Sequence, residues 1–226
     1  MRLHCILFYA MRLHDKSGVR MPRQVDHQER REAIAEAIVR LVTTKGVEAA
    51  SLRAVAAEAG VSMGAVQHYF TTRDEMLLFA LEYGNGIFGA RVQKLIAERK
   101  PATLREAFRL FFSLLLPLDD DGRGGARLWA ALIARGCVDE PTAKLAAEAY
   151  TNLTAFVDRQ VTDAANEKEA ADGIDVARSA RHLVSVIEGL RWPLLFGVYS
   201  ERDALAVLDA QLDLIFGPAA GRPGTG

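Results

Sequence analysis

Between Ser51 and Arg73 the chain reads SLRAVAAEAGVSMGAVQHYFTTR, and the side chains of this stretch suit contact with a nucleic-acid duplex. Gln67 carries a carboxamide whose donor and acceptor match N7 and N6 of adenine, and Met63 and Ala65 offer apolar atoms to a thymine methyl. Gly60, Gly64 and Ala65 are small enough to let a backbone approach a groove. Ser62 can cap the helix that follows it and leave backbone N–H groups directed at a phosphate. Ser51, Arg53, His68, Tyr69 and Arg73 suit phosphate oxygens, contacts that set register without reading sequence. His68 fits partial burial equally well, and Tyr69 can instead pack by its ring. Thr43 and Thr44 can close the preceding helix by bonding to its backbone or reach toward DNA. Val55, Ala56, Val61, Val66 and Phe70 are expected to form a small core behind these groups.

Such contacts need two short helices at a fixed angle, the first bracing the second, and the spacing predicts them. Ser51 is an N-cap for LRAVAAEA, Gly60 ends that helix in a tight turn, and Ser62 caps Met63–Phe70. This is the layout of a helix-turn-helix hinged on Ala59-Gly60-Val61. Before it, Ala33, Ile34, Ala37, Ile38, Leu41 and Val42 recur at three- and four-residue steps and predict an amphipathic helix over His27–Thr44, stopped at Gly46. After it, Thr72 and Glu75 form a capping-box pair that opens a fourth helix running to Lys100, with Pro101 beyond. Gly84, Gly86 and Gly89 predict a bend in that helix. Five further helical stretches are expected at Thr103–Leu116, Gly124–Arg135, Pro141–Glu167, Ile174–Phe196 and Arg202–Phe216, with Pro193 kinking or ending its helix near Trp192. Asp119–Gly125 reads as a loop and Gly217–Gly226 as a frayed tail. Strand-type alternation is absent, so the fold class is all-α.

The string Thr43-Thr44-Lys45-Gly46, Ser51-Leu52-Arg53-Ala54-Val55-Ala56, Ala59-Gly60-Val61-Ser62-Met63-Gly64-Ala65, His68-Tyr69-Phe70 and Arg73-Asp74-Glu75-Met76-Leu77 resembles the TetR family of bacterial transcriptional regulators. The resemblance covers roughly residues 27–83, and its Gly-Ala-Val-Gln-His-Tyr-Phe wording is similar to the betaine-regulator subgroup. Many members carry Tyr at the place of Gln67 and Lys at that of Arg73. The resemblance implies a phosphate contact for Tyr69 and a three-helix DNA-binding domain over residues 21–83. It further implies a larger helical domain over 84–216 that binds a small molecule and dimerises. The partners implied are double-stranded operator DNA, a second copy of the chain and a small apolar or amphipathic ligand, with no cofactor. The reading is a homodimeric repressor, with the fourth helix as the lever between ligand and DNA.

Apolar and aromatic residues available for a ligand pocket are Phe108, Phe111, Phe112, Trp129, Cys137, Tyr150, Phe156, Trp192 and Phe196, each of which also fits ordinary core. Arg109, Arg127, Arg135, His182 and Glu188 are the candidate polar anchors. For the dimer interface the apolar stripes are Leu183, Val186, Ile187 and Leu190, then Leu205, Leu208, Leu212 and Ile215. Two such hairpins make a four-helix bundle, and packing within the chain competes for the same residues.

Composition excludes several other classes. Half of the 226 residues are hydrophobic and a quarter charged, which suits a packed core and not general disorder. The net charge of −1 counts weakly against a nucleic-acid binder, so basic surface must come from local placement. Cys5 and Cys137 lie far apart and the five histidines are scattered, which argues against a disulfide scaffold or a metal site and suits a reducing cytoplasm. The apolar run at 3–11 is too short to span a membrane, and residues 1–20 read as a disordered leader before Met21. No nucleophile–base pair, H-E-x-x-H or phosphate loop is present, so an enzyme is not expected. The Asp119–Asp121 run lacks the downstream Glu of a calcium loop. The alternative is a helical small-molecule binding protein with a degenerate DNA-binding head.

Overall fold

A computed structural model describes residues 22–218. The expected leader at 1–20 and nearly all of the expected tail lie outside them. The described residues form nine α-helices and one 3-10 turn, with no strand among them. Helices α1 (Pro22–Lys45), α2 (Leu52–Ala59) and α3 (Met63–Tyr69) make a head. The long α4 (Arg73–Arg99) leads into a body of α5 (Leu104–Leu114), α6 (Asp120–Gly136), α7 (Glu140–Asn166), α8 (Val176–Leu195) and α9 (Glu201–Phe216).

Capping chemistry sets most of these boundaries. Ser51, Ser62, Thr72, Thr103, Asp119, Asp139, Asp175 and Ser200 each accept a backbone N–H two or three residues into the helix they open. The Thr72–Glu75 box forms as expected, with Glu75 N–H donating to Thr72 Oγ1 at 3.1 Å and Thr72 N–H to Glu75 Oε2 at 3.3 Å. One expectation fails. The acidic run is no loop: Asp119 is the N-cap of α6, and Asp120 and Asp121 sit in its first turn, where negative charge complements the helix end. The cap outweighs the low helix propensity of Gly122, Gly124 and Gly125. Helix α4 runs unbroken through Gly84, Asn85 and Gly86 because packing compensates for the glycines; a Cβ on Gly84 would be 3.6 Å from Leu128. Helix α8 does end near Pro193, at Leu195.

Two apolar cores result. In the head, Ile34, Ala37, Ile38, Leu41 and Val42 of α1 close over Val55, Ala56, Val66, Phe70, Met76 and Ala80. The body core gathers stripes from α4, α5, α7, α8 and α9, with Leu104, Ala107, Phe108, Phe111 and Phe112 of α5 at its centre. Leu128 of α6 belongs to the head core although its helix belongs to the body. A boundary near residue 84 therefore falls inside α4, and α6 is a second structural link between head and body.

Candidate nucleic-acid interface and ligand domain

The turn between α2 and α3 follows from one left-handed residue. Gly60 takes φ 67° and ψ 28°, and its N–H donates to the carbonyls of Ala56 and Ala57. An L-residue with a side chain adopts that conformation at a cost, which is why glycine belongs there. Val61 N–H then closes back on Ala56 O at 3.0 Å. Ser62 Oγ accepts the Ala65 N–H at 3.1 Å and starts α3.

Helix α3 is consequently two-faced. Val66 is fully buried, and Phe70, just past the helix, is buried beside it at 5.4 Å from the Phe79 ring. On the opposite side Met63, Gly64, Gln67 and His68 are exposed, and Met63 keeps 46% of its surface. Ala65 and Tyr69 are partly buried, with the His68 and Tyr69 rings edge to face at 5.2 Å. Ser51 and Arg53 are exposed at the start of α2. Arg73 is the first residue of α4; its side chain is not among those described. Thr43 and Thr44 both donate to Arg40 O, at 3.0 and 2.6 Å, the local role weighed for them. Around the back of the head, Arg40 bridges Glu58 of α2 at 3.1 Å, and Tyr83 of α4 donates to Glu36 at 2.8 Å. Burial first, then that carboxylate, push the Tyr83 phenol up to about 12.

In the body the structure divides the expected pocket residues. Phe108, Phe111, Phe112 and Phe156 fill space and do not enclose it: they are essentially fully buried, with rings 5.1–6.3 Å apart. Cys137 is exposed just beyond α6. Phe196 is exposed at the end of α8. Trp129 and Tyr150 meet edge to face at 5.4 Å, and Trp129 donates its indole N–H to Glu188 at 3.3 Å. Burial, then Glu188, push the Tyr150 phenol up to about 12. Arg191, next to Trp192, completes this group and was not foreseen, because arginines are ordinarily exposed. The signal was present: Glu188 and Arg191 stand three residues apart on one helical face.

Among the other anchor candidates, Arg109 pairs with Asp209 of α9 at 2.7 Å and Arg135 with Asp139 at 3.2 Å. His182 is exposed. Arg127 donates to the carbonyl of Thr43 at the end of α1. The seam between α4 and α6 holds a shallow apolar crevice between Leu77, Leu78, Leu128, Ala131 and Leu132, with about 20 Å³ of room. That space suits one water at most.

The dimer stripes also need correction. Leu183, Ile187, Leu190, Leu208, Leu212 and Ile215 are buried in the chain's own core, and Val186 and Leu205 pack against it. The competing intrachain packing claims them because α8 packs against α7, and α9 against α5 and α8. The apolar surface left outward on α9 is Val207 and Leu214, at 43% and 65% exposure. On α8, a Cβ at Gly189 would meet nothing within 4 Å.

A braced two-faced helix, mounted on a larger helical body, defines a helix-turn-helix DNA-binding regulator. The comparisons with known proteins agree. Residues 34–79 match the family described as bacterial regulatory proteins, tetR family, and residues 104–217 match the BetI-type transcriptional repressor, C-terminal family. The chain belongs to the TetR family, which comprises regulators and not enzymes. It is 53% identical over 62 residues to the regulator PksA of Bacillus subtilis, covering 27% of this chain and 30% of that one. It is 43% identical over 49 residues to the nicotine-responsive repressor HdnoR of Paenarthrobacter nicotinovorans, covering 22% and 25%. The matches thus span less than a third of either relative's length. A transcriptional regulator from Rhodococcus sp. Rha1 superposes with a TM-score of 0.70 at 27% identity, covering 82% of this chain and 95% of that one. No helix among the described residues is long and apolar enough to cross a membrane.

Proposed function

We propose that the protein is a homodimeric transcriptional repressor that leaves its operator when a small molecule binds the body. The observation that carries the DNA-binding half is α3, whose exposed Met63, Gly64 and Gln67 stand on a helix anchored through Val66 and Phe70. In a dimer, two such helices enter successive major grooves, with half-site spacing fixed by the body. Met63, Ala65 and Gln67 read base edges, while Ser51, Arg53, Ser62, His68, Tyr69 and Arg73 hold the backbone.

Dimerisation uses the outward faces of α8 and α9, where Val207, Leu214, Phe196 and the open Gly189 offer apolar area and close approach. The match to a repressor-type C-terminal family and the nicotine-responsive relative support release by ligand. Release requires that ligand bind the two states unequally.

Gel-shift titration with DNA from upstream of the chain's own gene tests this reading. A sequence-specific shift at moderate salt, with two heads per operator, is expected. Only non-specific binding under all conditions would refute it.

A further inference from the structure

Helix α9 carries apolar residues on nearly every side, so its hydrophobic pattern alone does not say which face belongs in the core. Ala204, Leu208, Leu212 and Ile215 are fully buried, while Val207 and Leu214 are exposed. By the helical repeat, Val207 and Leu214 lie along one flank of the buried stripe, and Asp209 and Asp213 along the other. Both aspartates meet arginines of α5. Arg109 donates from Nε to Asp209 Oδ1 at 2.7 Å. Arg105, one turn earlier on α5, pairs with Asp213 through Nη2, which also donates to the Asp209 carbonyl at 3.4 Å.

Two arginines a turn apart thus face two aspartates a turn apart. The inner members of this ladder are well buried: the Arg105 and Asp209 side chains are 12% and 10% exposed, and Arg109 and Asp213 are more open. Buried Arg105 Nε has no hydrogen-bond partner among the described residues. A ladder that desolvates two charges and leaves a donor unmet is a poor source of stability. It is a good source of register. Rotating α9 onto its Val207–Leu214 flank would carry both carboxylates away from α5. Sliding it by one turn would leave one arginine and one aspartate unpaired. Apolar burial is non-directional and penalises neither shift as sharply.

We propose that Arg105, Arg109, Asp209 and Asp213 form a register lock: they fix the rotation and height of α9 on α5, and so decide that Val207 and Leu214 face a second copy of the chain. They are positioning residues that act through α9. This rests on the dimer reading above and adds the residues that specify its surface.

The test uses the full chain without DNA. Sedimentation velocity over a concentration series reads the dimer, urea unfolding reads stability, and methyl NMR of Val207, Leu212, Leu214 and Ile215 reads the placement of α9. Wild type should be a dimer with one set of α9 signals. The double variant Arg105→Met/Asp209→Leu makes the buried pair apolar and leaves Arg109 and Asp213 able to reach water. It should unfold near the wild-type urea midpoint but show split or broadened α9 signals, and its dimer should be roughly tenfold weaker.

Asp213→Asn removes only the outer pair and covers the case in which the double variant fails to fold. It should keep the midpoint and weaken the dimer about threefold. Leu214→Glu, on the exposed flank, should break the dimer while the remaining α9 signals stay single. A folded double variant with single α9 signals and a wild-type dimer constant overturns the lock, as does an unchanged dimer constant in Asp213→Asn. A wild type that stays monomeric at every concentration sinks the dimer reading instead. The lock then stands on split α9 signals in the double variant and falls on single ones.

Discussion

Gly124 of α6 and Thr43 of α1 touch so closely that a β-carbon on Gly124 would lie 3.2 Å from the Thr43 β-carbon, with the threonine methyl nearer still. The same threonine's carbonyl accepts from Arg127, one turn along α6. Head and body are therefore joined twice, through the continuous α4 and through this crossing. Gly124→Ala should cost about 1–3 kcal/mol, because a β-branched neighbour with a stiff χ1 has little room to yield. Thr43→Ser removes the methyl, and the double variant should recover more than half of that loss in denaturant unfolding. Strict additivity of the two changes would show that the contact is not what sets the crossing.

The α3 contacts make a second prediction, on affinity with no change in stability. Gln67→Ala removes an exposed side chain, so the melting temperature should stay within error. Operator affinity should fall by roughly tenfold, with relaxed preference at one A·T pair. Arg53→Ala should instead weaken all duplexes alike and lower the slope of log K against log salt by about one. Anisotropy titrations across a salt series separate the two. If Gln67→Ala binds operator and scrambled DNA in the wild-type ratio, Gln67 reads no base.

Phe111 makes a third. It is 1% exposed and touches the rings of Phe88, Phe112 and Phe156, within 5.1–5.6 Å. Phe111→Ala should cost about 3–5 kcal/mol and leave the head's core intact. A loss under about 1 kcal/mol in urea unfolding would mean that this region is loosely packed, as a ligand cavity is and a solid core is not.

These cases show where the sequence was legible. The head could be read because its elements are set by local chemistry: Ser62 capping α3, Gly60 in a left-handed turn, Glu75 closing on Thr72. Each is decided by residues within a few positions. The body could be read only as helices with apolar stripes, since periodicity says that Leu183 and Leu208 are inward without saying inward to what. A stripe packed on α5 and a stripe packed on a second copy look alike in sequence. Gly124 was opaque for a related reason: its partner, Thr43, lies more than seventy positions away. Gly124 looked like loop punctuation because its use, a close helix crossing, depends on tertiary placement.

The tyrosines make a final prediction, in alkaline solution. Tyr83 and Tyr150 are both pushed up to about 12, by burial first and by Glu36 and Glu188 respectively. In the unfolded chain a tyrosine titrates near pH 10. Below that pH the phenol is neutral in both states, and the full stability associated with these two hydrogen bonds is present. Between pH 10 and about 12 the unfolded state loses its protons while the folded state keeps them, so stability should fall steadily across that window. Absorbance titration near 295 nm should show two late-ionising tyrosines. Tyr83→Phe and Tyr150→Phe should each delete one of them and flatten the decline. Because Tyr83 ties α4 to α1, its replacement should also lower stability at neutral pH by about 0.5–1.5 kcal/mol. If both phenols titrate near 10 in the folded protein, neither hydrogen bond is held as the structure places it.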